Sequence, residues 1–591
     1  MKRQLLALAL LTAGPISALA QYQLPNSDFE SDFVTSYYKK PKIGGATSYS
    51  EPIGWHGYAT LESDYEGLSS KVRTGDKLTS STDVRTENNS TGSTKCVCIT
   101  SNSPMIGIVA NGVMTTGRIY NKSDKPEDAA TNYNASDPSF DISSAENKKV
   151  SYTKPQVLYP NNRSYAQTFT GKPDKFTVWV NFCPKKQEGY ASVNAVIHTN
   201  ARYQDPEEAD KYKAVKIAAA KNDAIANYNN WQKLEIDFDY SVGNKDNVPA
   251  YILVSFTTNK TPGGGSDGDR LYVDDIAMVY YNDLKTLTYG TDSDAQDLLA
   301  KAGKAVDNVV SIDASDLFYD KNLVKYEKKG QGANITEETY NPTTCILTIK
   351  VEANDISVNA KNYTIYEVQF KKPITISDDQ DVSTTEDANA KVIMTRTFKK
   401  GWNTICLPFS TTAEALGAAK VQKLTYCTND LINFTSVEGN IMEWNTPYLI
   451  YFNEEKAFTS ENPFIFAGKV AASDQSTGVT FSPITMRGNY KANFPMKGYY
   501  GVVDQDGVQR IMSGGEGATL GPCRAYFIGN GKYFANGMLI SFDGQTTGIT
   551  SAELNAEGAA EDAPIYNLQG VRVNHLTKGV YIKGGKKIIV K

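Results

Sequence analysis

The sequence predicts an all-β chain of several domains, and three features carry that reading. Apolar and polar residues alternate with period 2 in EIDFDY (235–240) and ILVSF (252–256), the mark of strands with one buried face. Tyr (36) outnumbers Phe (22), Gly reaches 45, and sustained helical periodicity is nearly absent, a composition suited to sheets joined by polar turns. At 591 residues the chain is too long for one core, so three or four domains are expected.

The stretch from Trp231 to Tyr280 reads as three strands, with GGGSDGD forming an irregular turn before the last. That last strand contains LYVDDI, in which two carboxylates interrupt an otherwise apolar run. Paired acids in such a place call for a cation.

At the N-terminus, Lys2 and Arg3, the apolar run LLALALLTAG and Ala18-Leu19-Ala20 before Gln21 form a secretory signal over residues 1–20. No Cys stands at the cleavage point, which argues against lipoprotein processing. Beyond the leader no apolar run reaches membrane-spanning length, so the mature chain is expected to be secreted or displayed at the cell surface without a membrane span. Losing Lys2 and Arg3 takes the formal charge from −5 to −7, which gives no support for a nucleic-acid partner. The seven cysteines (96, 98, 183, 345, 406, 427 and 523) have no regular spacing and read as buried thiols rather than a disulfide framework.

Composition shifts divide the chain. Residues 21–282 form a first unit, and DLKTLTYG opens a second of short alternating strands over 283–377, the size and pattern of an immunoglobulin-like sandwich. Residues 378–391, acidic and free of aromatics, read as a linker. A third β-rich domain covers 392–547, a second acidic linker 548–563, and a Lys-rich tail with a hairpin-like pattern 564–591.

LPNSDFESDF, Pro52-x-x-Trp55, GKPDKFTVWVNFCP, the W-x-x-L-x-I-x-F-x-Y strand from Trp231 and LYVDDI give residues from about 22 to 281 a resemblance to the "putative carbohydrate metabolism domain" (PCMD) family of secreted Bacteroidetes proteins. The N-x-x-FE start and YVDD-I close also resemble jelly-roll carbohydrate-binding modules. The LKTLTYG unit resembles the immunoglobulin-like domain that follows in such proteins, and the last 28 residues resemble their sorting-signal tails. The resemblance implies an N-terminal jelly-roll β-sandwich whose first and last strands meet, with structural calcium at the seam. Glu30, Asp274 and Asp275 would then be its acids.

A sugar would lie on an open sheet face. In DKFTVWVNF the pleat puts Phe176, Val178, Val180 and Phe182 on one side and Thr177, Trp179 and Asn181 on the other. The next strand, YASVNAVIH, offers Tyr190 and Asn194 to extend that polar-aromatic patch. Trp55 and Trp231 are expected in the core. Catalytic constellations are thin: the three histidines lack metal-ligand spacing, and the formal G-x-S-x-G at 264–268 precedes a strand rather than a helix, so it reads as a turn. The leading expectation is a noncatalytic surface protein that binds a glycan or host-surface ligand. A glycan hydrolase using an Asp/Glu pair, or a purely structural or adhesive protein, are the alternatives.

Overall fold

The computed structural model describes residues 22–38, 47–57, 62–63, 77–85, 93–105, 108–121, 133–139, 165–186, 189–207, 209–261, 263–291, 293–429, 431–505, 508–529, 539–546, 565–567, 572–573, 579–583 and 586–590. The expected leader (1–20) and second linker (548–563) lie outside them. The fold is all-β. Among the described residues the helical pieces are single 3-10 turns of three or four residues. The chain divides into two compact units, Met1–Ala314 with Tyr319–Phe370, and Ser315–Phe318 with Lys371–Lys591.

The first unit opens with a sandwich of two five-stranded sheets. One runs in the order Gln232–Asp237, Lys175–Cys183, Arg270–Val279, Cys96–Thr100, Lys77–Ser81. The other contains Gln167–Thr168, Tyr251–Thr257, Ala191–His198 and Lys216–Ile225, with Val113–Thr115 also paired to Tyr251–Thr257. The expected alternation holds: Phe176, Val178, Val180 and Phe182 are buried against Val193, Ala195, Ile197, Val254 and Phe256. Trp55 completes this core between Phe29 and Phe256, with ring centroids 5.6 and 6.2 Å away.

The N-terminal segment closes on the last strand, as a jelly-roll seam requires. Gln23 exchanges two hydrogen bonds with the Met278 backbone, each 2.7 Å, and Ile276 N donates to Ser27 O at 2.9 Å. That amide is available because the strand bulges there. Thr177 faces Ala277 but Trp179 faces Asp274, and Asp275 takes a left-handed φ of 45°. Two residues thus oppose one, turning both Asp274 and Ile276 into buried positions. The bulge explains how two acids fit inside an apolar strand.

After Asn282 come seven strands in a three-stranded and a four-stranded sheet, the immunoglobulin-like sandwich. Tyr289 of the first sheet meets Phe370 of the second at 5.7 Å. The run KAGKAVDNVVSIDAS supplies the strand Val309–Ala314, parallel to Tyr363–Phe370.

In the second unit, a six-stranded mixed sheet and a five-stranded antiparallel sheet are the largest. The expected linker at 378–391 is corrected. Val382, Thr384 and Ala390 are buried, and Asp387–Met394 is a strand paired with Phe464–Val470 and, in parallel, with Ile374–Ile376. Its acids misled because they sit outside: Glu386 pairs with Lys469 and Asp387 with Lys371. Near the C-terminus, Ile565–Asn567, Gly579–Lys583 and Lys586–Val590 form a three-stranded antiparallel sheet that contains the expected hairpin.

Candidate functional site

The pleat of Lys175–Cys183 directs Trp179, Asn181 and Cys183 away from the core, onto the outward face of its sheet. Register sets their neighbours. Trp179 lies opposite Lys233 on one side and Asp274 on the other, Asn181 opposite Tyr272, and Cys183 opposite Arg270. Tyr272 in turn faces Cys98.

Trp231 belongs to this face and not to the core. Leu234 and Ile236 pack inward, so Trp231, an odd number of positions away, shares the outward side with exposed Lys233 and Glu235. It is half-buried, and its ring meets Tyr272 at 6.3 Å and 58°. Trp231, Tyr272, Cys96, Cys98, Cys183 and Val84 form one small cluster. The thiols in it are unreactive partners: burial pushes Cys96 up to about 12 and also raises Cys98 and Cys183, and none is in a disulfide.

The Trp179 ring is covered. The Arg85 guanidinium lies 3.9 Å over it, and Arg85 Nη2 pairs with the Asp275 carboxylate. Arg85 is buried, with Nε and Nη1 lacking hydrogen-bond partners among the described residues; a cation held against an aromatic face is the compensation. Thr177 is also buried and donates to Ala277 O at 3.3 Å, so it presents nothing outward. Of the strand's expected ligand contacts, Asn181 is half-buried on the outward face, and among the described residues its Oδ1 meets only the weak Cys183 thiol at 3.6 Å.

Tyr190 and Asn194 do not join Trp179. Between Cys183 and Ala191 the chain crosses from one sheet of the sandwich to the other, so the two strands are successive in sequence and apart in space. Tyr190 is 45% exposed beneath Lys260, whose Nζ lies 5.3 Å from the ring. Asn194 stands half-buried near Asp205, whose carboxyl burial raises while the Asn194 amide lowers it. Further along that face Val196 packs with Tyr203, Tyr212 and Leu253, and His198 is stacked between Tyr203 and Tyr251.

The seam acids converge in part. Ser93 Oγ lies 3.1 Å from both Glu30 Oε1 and Asp274 Oδ2, joining the first and last segments. Glu30 also accepts from Thr94 N (2.6 Å), Thr94 Oγ1 (2.6 Å) and Lys95 N (2.9 Å). Burial pushes its carboxyl up, but the Thr94, Lys95 and Ser93 bonds outweigh that and hold it below the usual carboxylate range. Asp274 is fully buried. Desolvation, then the charge of Asp275, push it up to about 7, against the pull of Ser93, the Asp275 amide and Arg85. These residues do not fit calcium. Donor N–H and O–H groups fill Glu30 where a cation would need bare lone pairs, Asp275 holds a guanidinium, and no group of three His, Cys, Asp or Glu gathers among the described residues.

Ser266 of the G-x-S-x-G is a turn residue, as read from the sequence. Its amide donates to Asp269 Oδ2 at 2.6 Å and a strand follows.

No family model matches the chain, and no curated protein does. Among solved structures it is similar to a "putative glycoside hydrolase" from Bacteroides thetaiotaomicron VPI-5482, with 12% identity and a TM-score of 0.26 over 43% of this chain and 73% of that one. Another "putative glycoside hydrolase", from Bacteroides vulgatus ATCC 8482, gives 15% and 0.25 over 43% of this chain and 96% of that one. Values this low assign no activity.

Proposed function

We propose that the chain is an exported, noncatalytic surface protein that binds glycan through the outward face of its N-terminal sandwich. The observation that carries this reading is Trp231 set against Tyr272, with the Asn181 side chain directly across from Tyr272 on the neighbouring strand. An indole offers a flat apolar surface to the C–H face of a pyranose, and a carboxamide both donates to and accepts from its hydroxyls. Trp179 serves this face from beneath Arg85, as part of its floor rather than as the platform.

The secretory leader pattern, the PCMD resemblance and the sorting-like tail support export and display. Deleting residues 564–591 is expected to remove the protein from the cell surface; unchanged display would sink that part. Binding itself is tested by a glycan array probed with the full chain and with Trp231→Ala, which should lose the hits. An array without hits for the unaltered chain would favour the structural or adhesive alternative.

The hydrolytic alternative draws on Asp205, held above the usual carboxylate range by burial, with Glu207 two residues on. Glu207 Oε1 already accepts from Tyr203 OH (2.7 Å) and Lys216 Nζ (2.6 Å), which suits a structural carboxylate. Release of reducing ends from a bound glycan, abolished by Asp205→Asn, would establish hydrolysis in place of binding.

A further inference from the structure

We infer that the saccharide bound on this face is anionic, its carboxylate or sulfate group received by Arg270. The inference rests on the glycan-binding reading and narrows its ligand class. Arg270 begins the strand Arg270–Val279, directly opposite Cys183 and two residues from Tyr272, and its side chain is exposed. Its Nη1 donates to Tyr272 OH at 3.2 Å, which steadies the guanidinium beside the Trp231–Tyr272 pair. No carboxylate forms an ion pair with Arg270 among the described residues, in contrast to Arg85, which is spent on Asp275.

The two acids just before this strand, Asp267 and Asp269, are occupied by backbone amides. Asp269 Oδ1 accepts from Lys185 N at 2.7 Å and its Oδ2 from Ser266 N, while Asp267 Oδ1 accepts from Ser103 N at 2.8 Å. Exposed Lys185 and Lys186 follow Cys183 at the same end. The Lys185 stem lies close over Gly268, where a Cβ would stand 3.0 Å from its Cε, so this lysine is held near the start of the Arg270 strand. On a chain of net negative charge, this places a guanidinium without an ion-pair partner among the described residues on the same stretch as Lys185. A planar guanidinium receives a carboxylate or sulfate through paired N–H donors, while the indole of Trp231 and the amide of Asn181 take the neutral part of the sugar. Asp83, exposed near both Tyr272 and Cys183, sets a like charge beside the site, which Arg270 must outweigh for an anion to bind.

The experiment is titration calorimetry of the full chain with two matched pairs: oligogalacturonate against its methyl ester, and a sulfated carrageenan oligosaccharide against its desulfated form. At least one charged member should bind ten-fold or more tighter than its neutral partner, and the pair that shows the difference identifies carboxylate or sulfate as the group. Arg270→Gln should erase the difference without lowering the melting temperature, and Arg270→Lys should restore part of it. Equal binding of charged and neutral members, unchanged in Arg270→Gln, overturns this inference and leaves the glycan reading standing. Binding confined to neutral saccharides elsewhere on a glycan array does the same. Absence of binding to any saccharide overturns both.

Discussion

Arg85 stacks its guanidinium 3.9 Å above the ring of Trp179. The contact joins a segment before the first long strand of the sheet to the middle of that sheet, and its ion pair with Asp275 fastens the bulge where the chain's two paired acids sit. A guanidinium thus stands where the jelly-roll resemblance implied a metal ion.

Arg85→Ala should destabilise the first unit by about 2 kcal/mol. It leaves the Asp275 charge without its partner and the Trp179 ring without its cover, and because Asp275 is partly solvated the cost falls short of the 3–5 kcal/mol typical of a fully buried pair. Urea unfolding followed by tryptophan fluorescence measures it. A change under about 0.5 kcal/mol would mean that the pair is ornamental.

The proton on Asp274 gives stability a definite slope. Its carboxyl titrates near 7 in the folded chain and near 4 when unfolded, so the folded state holds the proton more tightly. The contribution is therefore complete below about pH 4 and is lost as pH rises through about 7. Asp274→Asn, which keeps the neutral shape, should flatten the fall in melting temperature between pH 5 and 8 relative to the unaltered protein. His198, held near 4 by burial, works in the opposite sense at lower pH and is common to both proteins, so it cancels in the comparison.

Calcium should not matter to this seam. Because Glu30 is filled by donors from Ser93, Thr94 and Lys95, and Asp275 by Arg85, melting curves in calcium and in chelator should superimpose. A rise of several degrees with calcium would show that these carboxylates rearrange around an ion.

Much of the fold was legible because period-2 alternation reports which side of a strand is buried. It assigned Phe176, Val178, Val180 and Phe182 correctly, and the same parity applied to Leu234 and Ile236 places Trp231 outside, where its place in the resembled family's pattern had suggested core. What alternation does not report is which strands are neighbours. Tyr190 and Asn194 follow Trp179 closely in the chain yet lie on the other sheet, since successive strands of a sandwich often cross between its layers. Arg85 was illegible for a related reason: its partner is 190 positions away and the contact depends on the bulge at Asp275. The acidic run at 378–391 failed through composition, because Val382, Ala390 and Val392 needed only a few inward positions to build a strand under a charged exterior.

The central claim is that the Trp231 face receives a saccharide, and the most direct measurement compares glycan binding by Trp231→Ala with its thermal stability. Trp231 is half-buried on an outward face, so its truncation should cost about 1 kcal/mol or less, against about 3–5 kcal/mol for Trp55→Ala in the core. The account predicts that Trp231→Ala melts close to the unaltered protein and loses its saccharide binding by ten-fold or more. A Trp231→Ala protein that keeps full saccharide affinity would contradict it.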